Sequence, residues 1–315
     1  MRIKRVLTKL VLVAAVVLLS VGAVLYSSFS QPSSRPAYIG NRLEVVKLIS
    51  ADFSPPGFKF TVLGDIGSRA GRYERLMKAA AERRSSFMVI TGDVVNHNSP
   101  EEWKFFLEEA REVLDEAKVP VAVFAAAGNH DNEALDSSSY SFDAVFGPQQ
   151  FSFVFQNSLF VILDNSSARL LPSQYRWLEA VLEGHKGRLA HIFLFMHYPP
   201  IPFAGYAADA KGVEDSYRPF HQLVKRYKVD YVFSGHYHGF YQQVRDGVTY
   251  LVTGGGGAHL KGRGSFHHML EVTVQGADVG FRIISTFAFS DPEDDIDYFV
   301  KVSLVPALKK WFRFF

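Results

Sequence analysis

From Phe58 onward, short apolar runs alternate with amphipathic stretches of helical period, the pattern of β-α-β units. That alternation restricts the chain to an α/β fold in which parallel strands are joined through helices. Strands are predicted over Phe60–Leu63, Phe87–Thr91, Val121–Ala127, His191–Phe195 and Val229–Phe233. Helices are predicted over Gly71–Arg84, from Pro100 to about Ala117 behind a Ser99 cap, over Pro172–Leu182 and over Tyr217–Tyr227. Phe151–Phe155 and Leu159–Asp164 read as an antiparallel pair turning at Gln156-Asn157-Ser158. Beyond them the pattern is mostly strand: Phe240–Arg245, Val248–Thr253, His268–Val274 and Val279–Ile284. There is no internal repeat.

Five of these runs stop in the same way. They lead into Gly64-Asp65-Ile66-Gly67, Gly92-Asp93, Gly128-Asn129-His130-Asp131, Met196-His197 and Gly235-His236-Tyr237-His238. In open α/β sheets, ligands bind at the carboxyl ends of the strands. Any one of these stretches could be a polar turn that satisfies its own backbone. Taken together, and with the strands as neighbours, they bring Asp65, Asp93, Asn129, His197, His236 and His238 to one place. Three oxygen donors and three imidazoles suffice for two divalent cations if one carboxylate is shared. Two-metal sites of this kind clamp the attacking and leaving oxygens of an in-line displacement. His236 and His238, two residues apart beyond a strand, would face opposite sides of the local backbone and could serve one metal each. The chain has no cysteine, so any metal must be held by harder or borderline donors. The same absence leaves the redox compartment undecided.

These five motifs, Gly64-Asp65-Ile66-Gly67, Gly92-Asp93-Val94-Val95-Asn96, Gly128-Asn129-His130-Asp131, Leu194-Phe195-Met196-His197 and Gly235-His236-Tyr237-His238, resemble those of the calcineurin-like metallophosphoesterases. The pattern is closest to that of the purple acid phosphatases, and the resemblance covers most of residues 58–260. It implies a four-layer α/β/β/α sandwich of two mixed sheets flanked by helices, and hydrolysis of a phosphate ester by a metal-bridging hydroxide. By the match, Asp65 and His238 would bind a first metal, Asn129, His197 and His236 a second, and Asp93 would bridge them. His130 would be the general acid or the cationic stabiliser of phosphate, and Asp131 would orient its ring. A phosphomonoesterase is the first expectation. A phosphodiesterase acting on a nucleotide or lipid head group, or an inactive binding or scaffold protein of the same fold, are the alternatives.

Two positions depart from the family pattern. Gly67 stands where most of the wider family has a histidine two residues after the first aspartate. Asn96 stands where purple acid phosphatases have a tyrosine. The first metal loses a usual ligand, which Asn96, His97 or water would replace, and no preference for ferric iron is expected. Two divalent ions, Mn, Zn or Fe, with Mg also possible, are the expected cofactors, the first site being the weaker.

The N-terminus adds a separate expectation. Leu10–Tyr26 carries no charge, and extension to Phe29 reaches about the length needed to cross a bilayer. Arg2, Lys4, Arg5 and Lys9 precede it, which would keep that side cytoplasmic and the rest of the chain outside. The segment reads as a transmembrane signal anchor, with a cleaved signal peptide and secretion as the alternative. The organisation expected is a basic region at 1–9, the anchor at 10–29, a linker and lead-in at 30–57, a catalytic domain at 58–290 and a tail at 291–315. Within this scheme the folded body would begin near Tyr38. The tail is aromatic and basic at Lys309, Lys310 and Trp311–Phe315, suited to a membrane interface or to packing on the body. Net charge is +2, but the seven basic residues at the two ends include no acid nearby. Without them 27 of the 34 basic residues face 32 acidic ones. A mildly acidic body argues against a nucleic-acid partner; the partners expected are a phosphate-ester substrate and the membrane.

The remaining candidates carry less. His97 could line the site. Asp164-Asn165 also ends a strand and could sit beside the centre, but reads first as a turn or helix cap. The run Gly254–Gly257 lacks the Lys-Ser/Thr of a phosphate-binding P-loop, and reads as room for close approach of strands to the metal loops. His259, His267 and His268 read as surface or structural, and no role is assigned to His185, His191 or His221. Residues 198–216, rich in Pro, Gly and Ala, read as a loop over the site that would select the leaving group.

Overall fold

Phenylalanine determines how the strands stack. The chain has 28, and ten of them, including Phe60, Phe87, Phe124, Phe160, Phe193 and Phe233, occupy one continuous layer between two sheets. They enter it at every second strand position, as strand geometry requires: Phe58, Phe60 and Val62 from one strand, Phe193 and Phe195 from another. Phe60 stacks on Phe87 at 5.4 Å between centroids, and Phe160 meets both rings edge-on at 5.2 and 5.0 Å. Each fully buried ring contributes about 1.5–3 kcal/mol, and a good aromatic pair adds about 0.5–1.5 kcal/mol.

The structure is a computed structural model that describes residues 38–50, 57–67, 72–116, 121–132, 140–203, 210–260 and 265–285. One sheet holds β1 (Phe58–Leu63), β2 (Phe87–Thr91), β3 (Ala122–Ala126), β10 (His268–Gln275) and β11 (Asp278–Ser285), in the order β11-β10-β1-β2-β3. The other holds β4 (Phe151–Phe155), β5 (Ser158–Ile162), β6 (His191–Phe195), β7 (Tyr231–Ser234), β8 (Phe240–Arg245) and β9 (Val248–Thr253), in the order β4-β5-β6-β7-β9-β8. Both sheets are mixed, as expected. β1, β2 and β3 are parallel, with β10 antiparallel beside β1; β5, β6, β7 and β9 are parallel, with β4 and β8 as antiparallel edges.

The outer faces of both sheets are covered by helices. Met88, Ile90 and Val123 turn away from the phenylalanine layer onto α2 (Arg72–Glu82), α3 (Pro100–Glu116) and the single turn α4 (Phe142–Val145). Trp103 of α3 packs edge-on against Phe142 and Phe146. On the other side Val161, Leu194 and Val232 meet α5 (Pro172–His185) and α7 (Arg218–Arg226). Three apolar layers thus separate four layers of structure.

Two stretches differ from the sequence expectation. Past the expected start of the folded body near Tyr38, where no helix is predicted, Ile39 bridges to Val123 and α1 (Leu43–Ser50) buries Val45, Val46 and Ile49 at helical spacing against β3 and β4. Residues 198–216 read as loop but contain α6 (Ala210–Ser216). The predicted anchor at 10–29 and the tail at 291–315 lie outside the described residues. Among the described residues no helix is long and apolar enough to cross a membrane.

Candidate metal centre

All six predicted ligands lie just beyond strand ends, and the two sheets divide them by chemistry. Asp65, Asp93 and Asn129 follow β1, β2 and β3, so the first sheet supplies oxygen; His197, His236 and His238 follow β6 and β7, so the second supplies nitrogen. Asp65, Asp93 and His197 each offer a ligand atom within 4.8 Å of the others, and all three are buried. Asp65 and His197 expose none of their surface and Asp93 only 5%.

His197 Nδ1 donates to the Thr91 carbonyl at 2.9 Å, which turns Nε2 into the centre. There Nε2 lies 3.0 Å from Asn129 Oδ1, 3.4 Å from Asp93 Oδ1 and 3.3 Å from His236 Nδ1. A ring nitrogen facing two oxygen acceptors must carry a proton or share a cation with them. Burial opposes a charged imidazole, but the Asp93 and then the Asp65 carboxylates outweigh it and push His197 up. Burial likewise opposes the Asp93 carboxylate, and His197 outweighs it and pulls Asp93 down. Among the described residues no lysine or arginine pairs with Asp65 or Asp93. Two buried carboxylates with imidazole and amide donors, and no fixed cation, are a donor set fitted to divalent metal.

The His236 ring faces His197, and the ring of His238 faces Asp65. Its Nε2 is 3.3 Å from Asp65 Oδ1, and its Nδ1 bonds to the His259 carbonyl. The His236 N–H donates to both Asp65 oxygens at 3.0 and 2.9 Å. Asp65, Asp93 and His236 all have positive φ, at 56°, 51° and 65°. Such backbone costs about 1–3 kcal/mol per residue and persists where the surroundings over-determine it. Those surroundings are close: a Cβ at Gly128 would run into the Asp93 carboxylate, and one at Gly235 into that of Asp65. The glycine run past β9 braces the same loop, with Gly256 N–H donating to Gly64 O and Ala258 N–H to Asp65 O, both at 2.8 Å.

His130 donates its backbone N–H to Asp93 Oδ1 at 3.0 Å and is half-buried, with its ring Nδ1 out of reach of solvent. Asp131 does something the sequence does not suggest. Its two oxygens accept the N–H groups of Val95 at 3.1 Å and Gly128 at 2.8 Å, tying the Asp93 loop to the Asn129 loop. Burial, then repulsion from Asp93, pushes the Asp131 carboxyl up to about 7.

Position 67 has a local explanation. Gly67 has φ +61°, its N–H donates to Asp93 O at 3.0 Å, and its carbonyl accepts from Asn96 Nδ2. A Cβ there would lie 2.8 Å from Asn96 Oδ1. Asn96 occupies the space that a side chain at 67 would need. Its own N–H, with the N–H and Nδ1 of His97, is held by Glu102 on α3, whose side chain is buried.

The sequence marks a sixth strand end at Asp164-Asn165, but not what Asn165 holds. Asn165, beyond β5, is fully buried, and its Oδ1 accepts the N–H groups of His197 and Tyr198 at 2.9 and 3.0 Å. Its Nδ2 donates to the Tyr198 carbonyl at 2.9 Å and the Tyr217 hydroxyl at 2.8 Å. Asp164 does form the predicted turn, accepting from Ser166. His191, His221 and His268 are buried structural groups bonded to Asp230, Tyr250 and the Phe266 carbonyl.

Comparison with known proteins agrees with this geometry. The family model described as calcineurin-like phosphoesterase matches residues 58–240. A glycerophosphodiester phosphodiesterase, GpdQ, from Enterobacter lignolyticus is 28% identical over 166 residues, 49% of this chain and 56% of that protein. The chain therefore spans little more than half the length of this curated relative. A purple acid phosphatase from yellow lupin (Lupinus luteus) seeds superposes with TM-score 0.54 at 16% identity, over 77% of this chain and 55% of that one. A dimetal phosphatase from Danio rerio also gives 0.54 at 16% identity, over 73% and 97%.

Proposed function

The chain belongs to the calcineurin-like phosphoesterase family, and from that premise we propose that it is a phosphoester hydrolase, a binuclear phosphomonoesterase. The single observation that carries the proposal is the convergence of oxygen donors from one sheet and imidazoles from the other on the buried Asp65–Asp93–His197 cluster. Asp65 and His238 would hold one divalent ion, Asn129, His197 and His236 the other, and Asp93 both. Mn, Zn or Fe suits carboxylate, amide and imidazole donors in the absence of thiolate. Cations held there offset the charge of an anionic ester and make water acidic enough to react at neutral pH.

The protein's own residues supply the rest. The backbone of His130 is tied to Asp93, which puts this half-buried residue beside the proposed centre. As an imidazolium it would protonate the leaving oxygen or pair with phosphate. Asp131 acts through the loop: its carboxylate fixes the backbone on either side of Asp93.

Monoester cleavage is favoured by the motif pattern, which is nearest to the purple acid phosphatases. Diester cleavage is the second reading, and the relative named as a glycerophosphodiester phosphodiesterase favours it. The uncharged stretch at 10–29 supports a membrane anchor with the catalytic domain outside. A domain fully protected from protease added to intact cells would overturn that placement. The decisive experiment for the reaction is metal content per chain, with hydrolysis of a generic monoester and a generic diester under added Mn, Zn or Fe. Two ions with preferential monoester cleavage are expected; no hydrolysis under any ion would leave a scaffold protein.

A further inference from the structure

Tyr198 directly follows His197, and none of its backbone polar groups is left to solvent or to chance. Asn165 accepts its N–H at 3.0 Å and donates to its carbonyl at 2.9 Å. Asn165 is itself fully buried and makes a further bond to Tyr217, the residue just before α7. The chain is thus pinned at both ends of the 198–217 segment by one amide. The ring of Tyr198 is fixed as well. It lies 3.9 Å from the His236 ring, tilted by 34°, and meets the His197 ring edge-on at 5.3 Å.

Packed on two imidazoles of the centre, the ring of Tyr198 lies beside it. The residue is half-buried, and its phenol is near enough to Asp93 to feel that carboxylate's charge. Among the described residues the hydroxyl has no hydrogen-bond partner, whereas Tyr38, Tyr175 and Tyr227 each donate to a carboxylate or carbonyl. A phenol is a donor at neutral pH. A donor held rigidly beside the reacting group, with its position already fixed, binds an oxyanion without a further ordering cost.

We propose that Tyr198 is a substrate-binding residue whose hydroxyl donates to a phosphate oxygen of the ester, and that Asn165 is the positioning residue that sets it. The inference rests on the phosphoesterase reading and extends it to a residue outside the ligand set. It commits to contact with the phosphate, which mono- and diesters share.

The test uses the full chain loaded with manganese, and inorganic phosphate as the probe. Tyr198→Phe keeps the ring on His236 and removes only the hydroxyl. It is expected to retain parental metal content and to bind phosphate about ten- to hundredfold more weakly by calorimetry, the range for a hydrogen bond to a charged group. KM for the ester should rise in parallel. Unchanged phosphate affinity would overturn the proposal. So would a fall in metal content in Tyr198→Phe, because the hydroxyl would then act through His236. Asn165→Ala is expected to weaken both metal and phosphate, and Asn165→Asp, which keeps an acceptor for the two N–H groups, to recover part of the metal affinity. Calorimetry needs no turnover. Phosphate binding without hydrolysis by the parent would therefore count against the phosphoesterase reading and leave the Tyr198 arm intact. A parent that binds no phosphate would sink both.

Discussion

His197 Nδ1 donates to the backbone carbonyl of Thr91 at 2.9 Å, a bond that crosses from one sheet to the other. Thr91 is the last residue of β2 and Asp93 lies two residues on, so the imidazole and the carboxylate it faces are set by the same strand end. Partners of this kind fix which ring nitrogen meets a metal.

His197→Ala should therefore lose metal rather than merely turn over slowly. We expect metal affinity to fall on the order of a hundredfold or more, since even outer partners of a ligand are worth about 10–100-fold. Competition with a chelating indicator measures it, and parental affinity in the variant would remove His197 from the ligand set.

His130→Ala should behave in the opposite way. The residue touches Asp93 through its backbone N–H, which alanine keeps. Metal content should stay at the parental level while kcat falls by about 10²–10⁴-fold, the usual worth of a positioned acid or base. Equal kcat in parent and variant would end the role assigned to this ring.

Gly67→Ala combines two costs. The residue sits at φ +61°, where a Cβ costs roughly 1–2 kcal/mol, and that Cβ would press on Asn96 Oδ1 at 2.8 Å. Urea denaturation should show a loss of about 1–3 kcal/mol. Adding Asn96→Ala should restore the part due to the clash but not the part due to φ. A histidine at 67 would meet the same obstacle, which is why the usual family residue does not fit this loop as it stands.

The pH dependence of stability should carry a signature of His268. Burial between Phe240 and Phe266 holds its imidazole down to about 4, against an ordinary value near 6.5. The unfolded chain takes up this proton first as pH falls. Stability from this group is fully present above about 6.5, declines between about 6.5 and 4, and is level below that. The decline amounts to about 3 kcal/mol. Comparing His268→Leu with the parent across this range isolates it: the parent's advantage should shrink as pH falls, and a constant difference would contradict the assignment.

The parts of this centre that were legible in the sequence are those whose signal is local. An apolar run followed by Asp, Asn or His, with a glycine between in every case but His197, can be read within a few residues, and all six donors stand at such places. Asn165 was legible as a strand end but not in what it holds, because its partners lie 31 to 52 residues further on and are brought to it only by the order β5-β6 in the second sheet. Asp131 was legible as a site residue but not in what it does, since the need of two distant N–H groups for an acceptor leaves no mark in the pattern. Helix α1 was not predicted: Leu43–Ser50 is only eight residues long, too short for a helical period to stand out in the pattern. The two sheets were predictable as mixed, but which strand abuts which depends on long-range pairing alone.

One such pairing has a consequence in time. β10, at His268–Gln275, inserts antiparallel against β1, at Phe58–Leu63, and so lies in the interior of the first sheet. A ribosome releases β1 long before β10 exists. Until then the strand that carries the Asp65 loop has one side unpaired. For that interval its free edge is exposed to pairing with the strand of another copy.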